Sequence, residues 1–378
     1  MKHFHYIFAG SGLSALMTVY RMVVSGKFTD KSILLIDPDT KESNDRTWCF
    51  WETESGEWDN IVSKHWDSAF FINTAFTKKM ILAPYHYKMI KGADFYSHIK
   101  SVISKQANIT FIQQRVTDFT DTPQHVLVKT ETESYTCNKL FNSIYNPTLP
   151  AESRYPLLQQ HFIGWFVKTK KPVFNADTAT FMDFSVPQKG NTRFMYVMPV
   201  SETEALVEYT LFSHDLLQTQ EYESAIHQYL ENLDSNDYEV IEKERGSIPM
   251  TCYPFWENNT KNIINIGSAG GWTKASTGYT FKNTSKKSQK LIAFLENETD
   301  FTKFHKKNRF WLYDLLLLDI LYKKNEKGST IFSAMFRNAM PQLIFKFLDE
   351  ETTISEDLKV IWACPKSLFI KALGKRLF

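Results

Sequence analysis

Gly10-Ser11-Gly12-Leu13-Ser14-Ala15 sets two glycines and a small residue at the spacing G-x-G-x-x-G/A. In this pattern the first glycine permits a tight turn and the second lets backbone approach a pyrophosphate. The small third position, Ala15, lets a helix pack closely on a strand. The N-terminus of the helix that follows stabilises phosphate charge. Asp37 lies 25 residues beyond Gly12, near where a carboxylate grips a ribose 2′-hydroxyl. A second patch, Gly267-Ser268-Ala269-Gly270-Gly271-Trp272, follows the apolar run Ile263 to Ile266 and leads into Thr277-Gly278-Tyr279. Three glycines in five residues suit a backbone that comes close to a cofactor; the alternative is an ordinary helix-start turn. An N-terminal dinucleotide unit with a late glycine patch points to FAD rather than NAD.

Two acids sit in apolar surroundings. Glu208 lies in Ala205-Leu206-Val207-Glu208-Tyr209-Thr210-Leu211, which predicts a sheet strand with little water nearby. Period-two alternation puts Glu208 on the face of Leu206 and Thr210, away from Val207, Tyr209 and Leu211. Sequence leaves open which face is a pocket, and a solvent-facing edge strand is the alternative. Asp183, in Phe181-Met182-Asp183-Phe184, is either a second catalytic acid, a satisfied buried turn residue or a partner that tunes a flavin. No metal site is expected. Cys49, Cys137, Cys252 and Cys364 lie far apart with no Cys-x-x-Cys, which fits a reducing cytosolic setting.

The elements that must position these groups begin with a strand, a helix and a second strand over the first forty residues. Residues 38–60 read as a polar, then aromatic loop. Residues 92–107 read as helical, and 109–149 as a small sheet. Strands follow through residues 155–250, with a helix near Tyr222 to Leu233. From residue 300 the chain reads helical. Five segments result: a first part of the cofactor domain (1–75), its remainder with a connecting sheet (76–150), a substrate domain (151–250), a last cofactor part (251–299) and a helical C-terminal region (300–378).

Composition adds limits. With 44 Lys and Arg against 42 Asp and Glu over 378 residues, no global charge recruits nucleic acid. The chain is 15% aromatic, with 30 Phe, 17 Tyr and 9 Trp, which points to a large apolar ligand. Gly10 and Gly12 interrupt the opening apolar run, so no signal peptide is expected. Asp314 and Asp319 break the longest apolar stretch, Phe310 to Tyr322, and no membrane span is expected. The final segment, Leu368 to Phe378, is basic and amphipathic. It either lies in the headgroup region of an anionic bilayer or packs as a helical cap.

Four segments in order resemble one family. They are the glycine turn; Asp45-Arg46-Thr47-Trp48-Cys49-Phe50-Trp51; Tyr196-Val197-Met198-Pro199 leading to Leu206-Val207-Glu208-Tyr209-Thr210; and Gly270-Gly271-Trp272 through Thr277-Gly278-Tyr279. Together they are similar to the flavin-dependent lycopene cyclases, over roughly residues 1–300. The resemblance implies an α/β fold like the flavin monooxygenases and geranylgeranyl reductases: a Rossmann-type FAD-binding domain, a β-sheet substrate domain and a helical C-terminal region. It implies reduced FAD, primed by NADPH or another reductant, and lycopene or another linear carotene as substrate. The activity implied is lycopene beta-cyclase, forming β rings by acid–base carbocation chemistry with no net redox change. A redox flavoenzyme of the same fold, a monooxygenase or isoprenoid reductase, is the alternative.

On that reading Glu208 and Asp183 are the candidate acids. Gly10, Gly12, Ala15, Asp37, Arg46, Gly267, Gly270 and Gly271 bind the cofactor, Arg46 through its phosphates unless it is a surface loop arginine. Trp48, Phe50, Trp51, Tyr196, Trp272 and Tyr279 offer π faces to the cation, two or three of them lining the substrate tunnel. Many family members carry paired acids in the segment that holds Glu208, whereas Tyr209 follows Glu208 here. Ser268 stands where related flavoproteins often place Asp. The location expected is cytoplasmic, peripherally on the inner face of the membrane, because carotenes partition into lipid.

Overall fold

The computed structural model describes residues 1–234 and 237–377; Phe378, the last residue of the expected basic tail, lies outside them. The chain opens with β1 (Lys2–Ala9), α1 (Leu13–Ser25) and β2 (Ile33–Ile36). Gly12 is the N-cap of α1, and Gly26 ends the helix in the left-handed conformation, φ 66°. Then come β3 (Thr47–Glu52), β4 (Lys64–Trp66), β5 (Ser68–Asn73), β6 (Phe76–Ile81), β7 (His86–Lys91) and α2 (Gly92–Ile103). A run of β8 (Ile109–Ile112), β9 (Val116–Asp121), β10 (Val126–Thr130) and β11 (Ser134–Asn142) follows, then the one-turn α3 (Thr148–Ala151).

The middle of the chain holds β12 (Leu157–Thr169), β13 (Thr178–Asp183), β14 (Thr192–Pro199), β15 (Glu204–Ser213), α4 (Thr219–Glu231) and β16 (Tyr238–Thr251). β17 (Ile263–Asn265) and α5 (Phe281–Leu295) precede five closing helices. These are α6 (Arg309–Lys323), α7 (Gly328–Asn338), α8 (Pro341–Leu348), α9 (Ile354–Ala363) and α10 (Lys366–Leu377).

Three sheets result. The first runs β8-β2-β1-β11-β10-β9, with β17 also pairing β11; β8, β2, β1, β11 and β17 are mutually parallel. Its apolar strands, such as Ile33-Leu34-Leu35-Ile36 with every residue buried, are those of a sheet covered on both faces. The second runs β16-β12-β15-β14-β13-β5-β6, and β3-β7-β4 form the third. Residues 68–81 therefore belong to the second sheet, not to the cofactor unit assigned from sequence. The β5–β6 hairpin adds through a parallel pairing of β5 with β13, and Ala69, Phe71 and Met80 join the core beneath that sheet.

The second sheet is apolar on both faces, for two different partners. Ile163, Trp165, Met195, Val197, Val207, Tyr209 and Leu211 pack with Tyr222, Ile226 and Leu230 of α4. Phe166, Phe194, Met198, Leu206 and Phe212 face the C-terminal helices, meeting Leu315, Leu318, Phe332, Phe336 and Phe345. The final helix packs on α6: Arg376 makes a two-point contact with Asp319 at 2.7 and 2.8 Å, and Ala372 is buried with Leu316, Ile320 and Ile331.

A buried charge cluster ties the helical region to the rest. Lys274, with its side chain 3% exposed, donates to Asp314 of α6 at 2.9 Å and to Glu350, beyond α8, at 2.9 Å. Lys274→Met should cost about 3–5 kcal/mol in chemical denaturation, because two carboxylates lose their counter-charge. Lys27→Met, which breaks the exposed pair with Glu296, should cost under about 1 kcal/mol. Equal, small losses would show that Lys274 does not anchor the helical region.

Candidate active site

A cavity of about 660 Å³ extends from the glycine turn to the C-terminal helices. Gly12, Leu13, Lys41, Arg46, Trp48, Ser268 and Thr280 line one end. Phe332, Met335, Val360, Cys364, Phe369 and Ile370 line the other. Between them lie Cys49, Phe181, Tyr196, Glu208, Glu244 and Tyr279.

The register of the second sheet builds the middle. Tyr196 of β14 pairs with Glu208 of β15, Glu208 with Gly164 of β12, and Gly164 with Glu244 of β16. These four residues form one row on one face, since directly paired residues share a face. Sequence alternation grouped Glu208 with Leu206 and Thr210, and that face carries the cavity. Gly164 is required by its neighbours. A Cβ there would lie 2.9 Å from Leu206 Cδ1, 3.1 Å from Glu244 Cγ and 3.4 Å from Glu244 Oε1. The Glu244 side chain thus lies over the glycine, in the row it shares with Glu208.

Both acids are 8% exposed. Thr210 Oγ1 donates to Glu208 Oε1, and Thr47 Oγ1 donates to Glu244 Oε2 at 2.7 Å. Neither glutamate has an ion-pair partner among the described residues. Burial pushes the Glu208 carboxyl well above the usual range, and the Glu244 charge pushes it further. Burial likewise raises Glu244. Beside them the Cys49 thiol is pushed up to about 12 by burial. The hydroxyls of Tyr87 and Tyr196 touch, and Tyr279 lies 3.4 Å from Tyr87. Burial keeps the Cys49 thiol and these tyrosine hydroxyls protonated.

Sequence did not find Glu244, Gly164, Tyr87 or Cys49. β16 reads Glu239, Glu242, Lys243, Glu244, Arg245, a charged stretch that looks like solvent-facing chain. The available signal was the alternation of Glu242, Glu244 and Gly246, and only the pairing with β12 gives that a meaning, since a register shift puts Val240 opposite Val167 on the other face.

Asp183 is not in this cavity. The β13 register shifts between Thr180 and Asp183, so Thr180 pairs with Val197 and Asp183 with Met195. The bulge turns Asp183 onto the α4 face, where it accepts from Tyr229 at 2.9 Å and from the Ser185 amide at 2.8 Å. Strict alternation from Phe181, which does line the cavity, fails at that extra residue. Of the six aromatic candidates, Trp48, Tyr196 and Tyr279 line the cavity. Phe50 instead stacks on Phe281 at 4.7 Å, Trp51 stacks on Phe345 at 4.6 Å, and Trp272 is buried in the core around α1 and α5.

The glycine turn is open where the motif needs it. Gly10 has φ +88° and a Cβ there would strike Ser143 Oγ, whereas a Cβ at Gly12 meets nothing within 4 Å. Ala15 is fully buried in α1. Asp37 Oδ2 accepts from the Ser11 amide at 2.6 Å and Oδ1 from the Asp39 amide at 2.8 Å, so this carboxylate braces the turn itself. Exposed Arg46 lines the same end. The late glycines serve packing instead of opening the cavity. A Cβ at Gly267 would meet Ser14 Oγ at 2.5 Å, at Gly270 the Asn265 carbonyl at 2.0 Å, and at Gly271 the Phe255 ring at 3.2 Å. Their close seating brings the neighbouring Ser268 to the cavity.

This is the fold of the flavin monooxygenases and geranylgeranyl reductases. The chain is similar in structure to a geranylgeranyl bacteriochlorophyll reductase-like protein of Thermoplasma acidophilum, with TM-score 0.65 and 11% identity over 99% of each chain. It is also similar to a p-nitrophenol 4-monooxygenase of Pseudomonas putida DLL-E4, with TM-score 0.60 and 11% identity over 98% of each. Within that class the sequence is more particular: the family profile described as lycopene cyclase protein matches residues 6–373, and the chain belongs to the lycopene cyclase family. A lycopene beta-cyclase of Paracoccus sp. (strain N81106 / MBIC 01143) is 29% identical over 125 residues, a match that spans 32% of this chain and 32% of that relative.

The raised Glu208 carboxyl makes folding pH-dependent. Its folded pKa lies above the ordinary 4.5, so between the two values the folded chain binds more protons than the unfolded chain and stability falls as pH rises. Glu208→Gln removes that penalty. Its Tm should gain on wild type between about pH 5 and about pH 8 and level off above that, as read by circular dichroism melts. A pH-independent difference would mean that Glu208 titrates as an ordinary glutamate.

Proposed function

We propose that the protein is a lycopene beta-cyclase that turns the linear ψ ends of lycopene into β rings, with FAD held in its reduced form. The observation that carries this reading is an uncompensated acid buried in an aromatic cavity. An alkene is a very poor base, and a carboxylic acid serves it only when kept protonated, as burial keeps Glu208. On this reading Glu208 delivers a proton to the terminal double bond. The neighbouring alkene closes the ring, and loss of a ring proton sets the new double bond. Tyr196, Tyr279, Phe181 and Phe194 present π faces that stabilise the cation by about 0.5–2 kcal/mol each. The apolar lining excludes water, which would otherwise capture the cation as an alcohol.

The residues at the turn fit FAD. Space is open at Gly12, the buried Ser11 Oγ has no partner among the described residues, and Arg46, Ser268 and Thr280 stand at the same end. The α1 N-terminus and Arg46 would hold the pyrophosphate, with Asp37 keeping the turn in shape. When bound there in reduced form, primed by NADPH or another reductant, the flavin would supply negative charge that stabilises cationic character without net electron transfer.

The substrate is a lipid-soluble polyene, and the helical end of the cavity supports entry from the inner face of a membrane. Among the described residues no helix is long and apolar enough to cross one. The end formed by α9 and α10 exposes Leu358, Trp362, Ile370 and Leu373, with Lys366 lying over the Trp362 ring at 3.9 Å. Such a face suits shallow insertion into an anionic surface.

Glu208→Gln should lower cyclisation of lycopene by about 10²–10⁴-fold under anaerobic conditions with chemically reduced FAD. Flavin should still copurify, and β-ring product should form without stoichiometric NADPH. Near-normal turnover would remove Glu208 from the reaction, and one NADPH consumed per product would favour the redox reading. Gly12→Val should fold yet lose FAD, because its side chain fills the space at the turn; a folded variant with its full flavin would overturn the cofactor assignment. Trp362→Glu with Ile370→Glu should abolish flotation with anionic vesicles, and unchanged flotation would move the membrane contact elsewhere.

A further inference from the structure

We propose that Glu244 is the second proton-transfer group of the cavity, forming with Glu208 across Gly164 a pair that shares a single proton. The proposal rests on the cyclase reading for its chemistry and on the sheet register for its geometry. Glu208 and Glu244 lie two strands apart in one row, with the strand between them contributing only a glycine. Adjacent strands are about 4.8 Å apart, so a side chain at the middle position would ordinarily separate the two acids. Here Glu244 occupies that place, with Oε1 3.4 Å from where the Gly164 Cβ would stand. Each carboxyl has one oxygen engaged by a threonine hydroxyl, Thr210 on Glu208 and Thr47 on Glu244. The other oxygen of each has no hydrogen-bond partner among the described residues, and both residues line the cavity.

The groups that act on the pair do not neutralise it. Cys49 of β3, Tyr196 of β14 and Tyr279 before α5 stand around it as neutral groups. Asp45 and Glu242 add negative charge near Glu244, and the cation acting on it is exposed Arg46. Two carboxylates buried side by side cannot both ionise, so one proton is retained between them. That stoichiometry matches the reaction. One proton leaves a carboxyl and forms a C–H bond with the electron pair of the terminal alkene. The pair of the next alkene closes the C–C bond. A ring C–H then gives its proton to the carboxylate left behind or to its neighbour, and the freed electron pair becomes the ring double bond. The pair ends as it began, with no oxidant or reductant used.

The test is an infrared titration of the carboxyl region in wild type, Glu208→Gln and Glu244→Gln enzyme, with no substrate present. Wild type should show one protonated carboxyl persisting at neutral pH. In either variant the remaining acid should ionise at least about one pH unit lower, since its charged neighbour is gone. Glu244→Asp keeps the charge but withdraws it from Gly164, and should give an intermediate midpoint if Glu244→Gln does not fold. The alkaline limb of the lycopene pH–rate profile should move by the same amount. An unchanged midpoint for Glu208 on losing Glu244 would overturn the pair even in an active cyclase. A coupled titration in an enzyme that forms no rings would leave the pair standing and sink the cyclase reading.

Discussion

The exclusion of water from one carboxyl is the constraint around which this molecule is arranged. Glu208 sits on an interior strand of a seven-stranded sheet that is covered on both faces, by α4 on one side and by the C-terminal helices on the other. An acid on an open sheet face would ionise at its ordinary pKa and have no strength toward an alkene. The five closing helices therefore do more than cap the fold. Leu315, Phe332, Phe336 and Phe345 complete an apolar enclosure that the sheet alone leaves open.

Charge appears inside that enclosure only where it is fixed in place. Lys274, Asp314 and Glu350 form a compensated cluster, and Arg376 with Asp319 pins the last helix. These pairs hold the helical region against the sheets with directional contacts that an apolar surface lacks. Their registry differs in kind from the acid row, where among the described residues no cation forms an ion pair with the carboxylates and only exposed Arg46 acts on Glu244 from nearby. Compensated charge positions the walls, and on the proposed reading uncompensated charge marks where proton chemistry is placed. The separation follows from desolvation: a buried carboxylate with a lysine keeps its charge, and one beside another carboxylate keeps a proton.

What could be read from the sequence was local. The glycine turn needs only consecutive residues, and strand, helix and second strand lie where their apolar runs put them. Glu208 was legible because its apolar neighbours surround it in sequence. Glu244 was not, because its chain neighbours Lys243 and Arg245 are exposed and its relevant neighbours are Gly164 and Glu208, which only strand pairing brings together. Asp183 misled for a related reason: one residue of bulge in β13 reverses the face, and no local pattern records it. The late glycines were recognised as sites of close approach, but the approaching groups are Ser14, Asn265 and Phe255. Likewise residues 68–81 carry no mark of the sheet they join, since a parallel pairing with β13 spans more than a hundred residues.

The same architecture serves reductases and monooxygenases, so the scaffold does not choose the reaction. On the proposed reading, the reaction depends on the cavity wall that carries the acid row. Gly164 and Gly246 both lie in that wall, and Gly246 is needed because a Cβ there would lie 2.4 Å from the Phe162 ring. One glycine makes room for an aromatic face and the other for a carboxyl, side by side along β12 and β16. A donor that protonates an alkene uses both at once, the acid to generate the cation and the π surface to stabilise it. The specificity of the site on the proposed reading therefore lies less in the residues that are present than in the two positions where side chains are withheld, since these let an acid and a π surface share one dry wall.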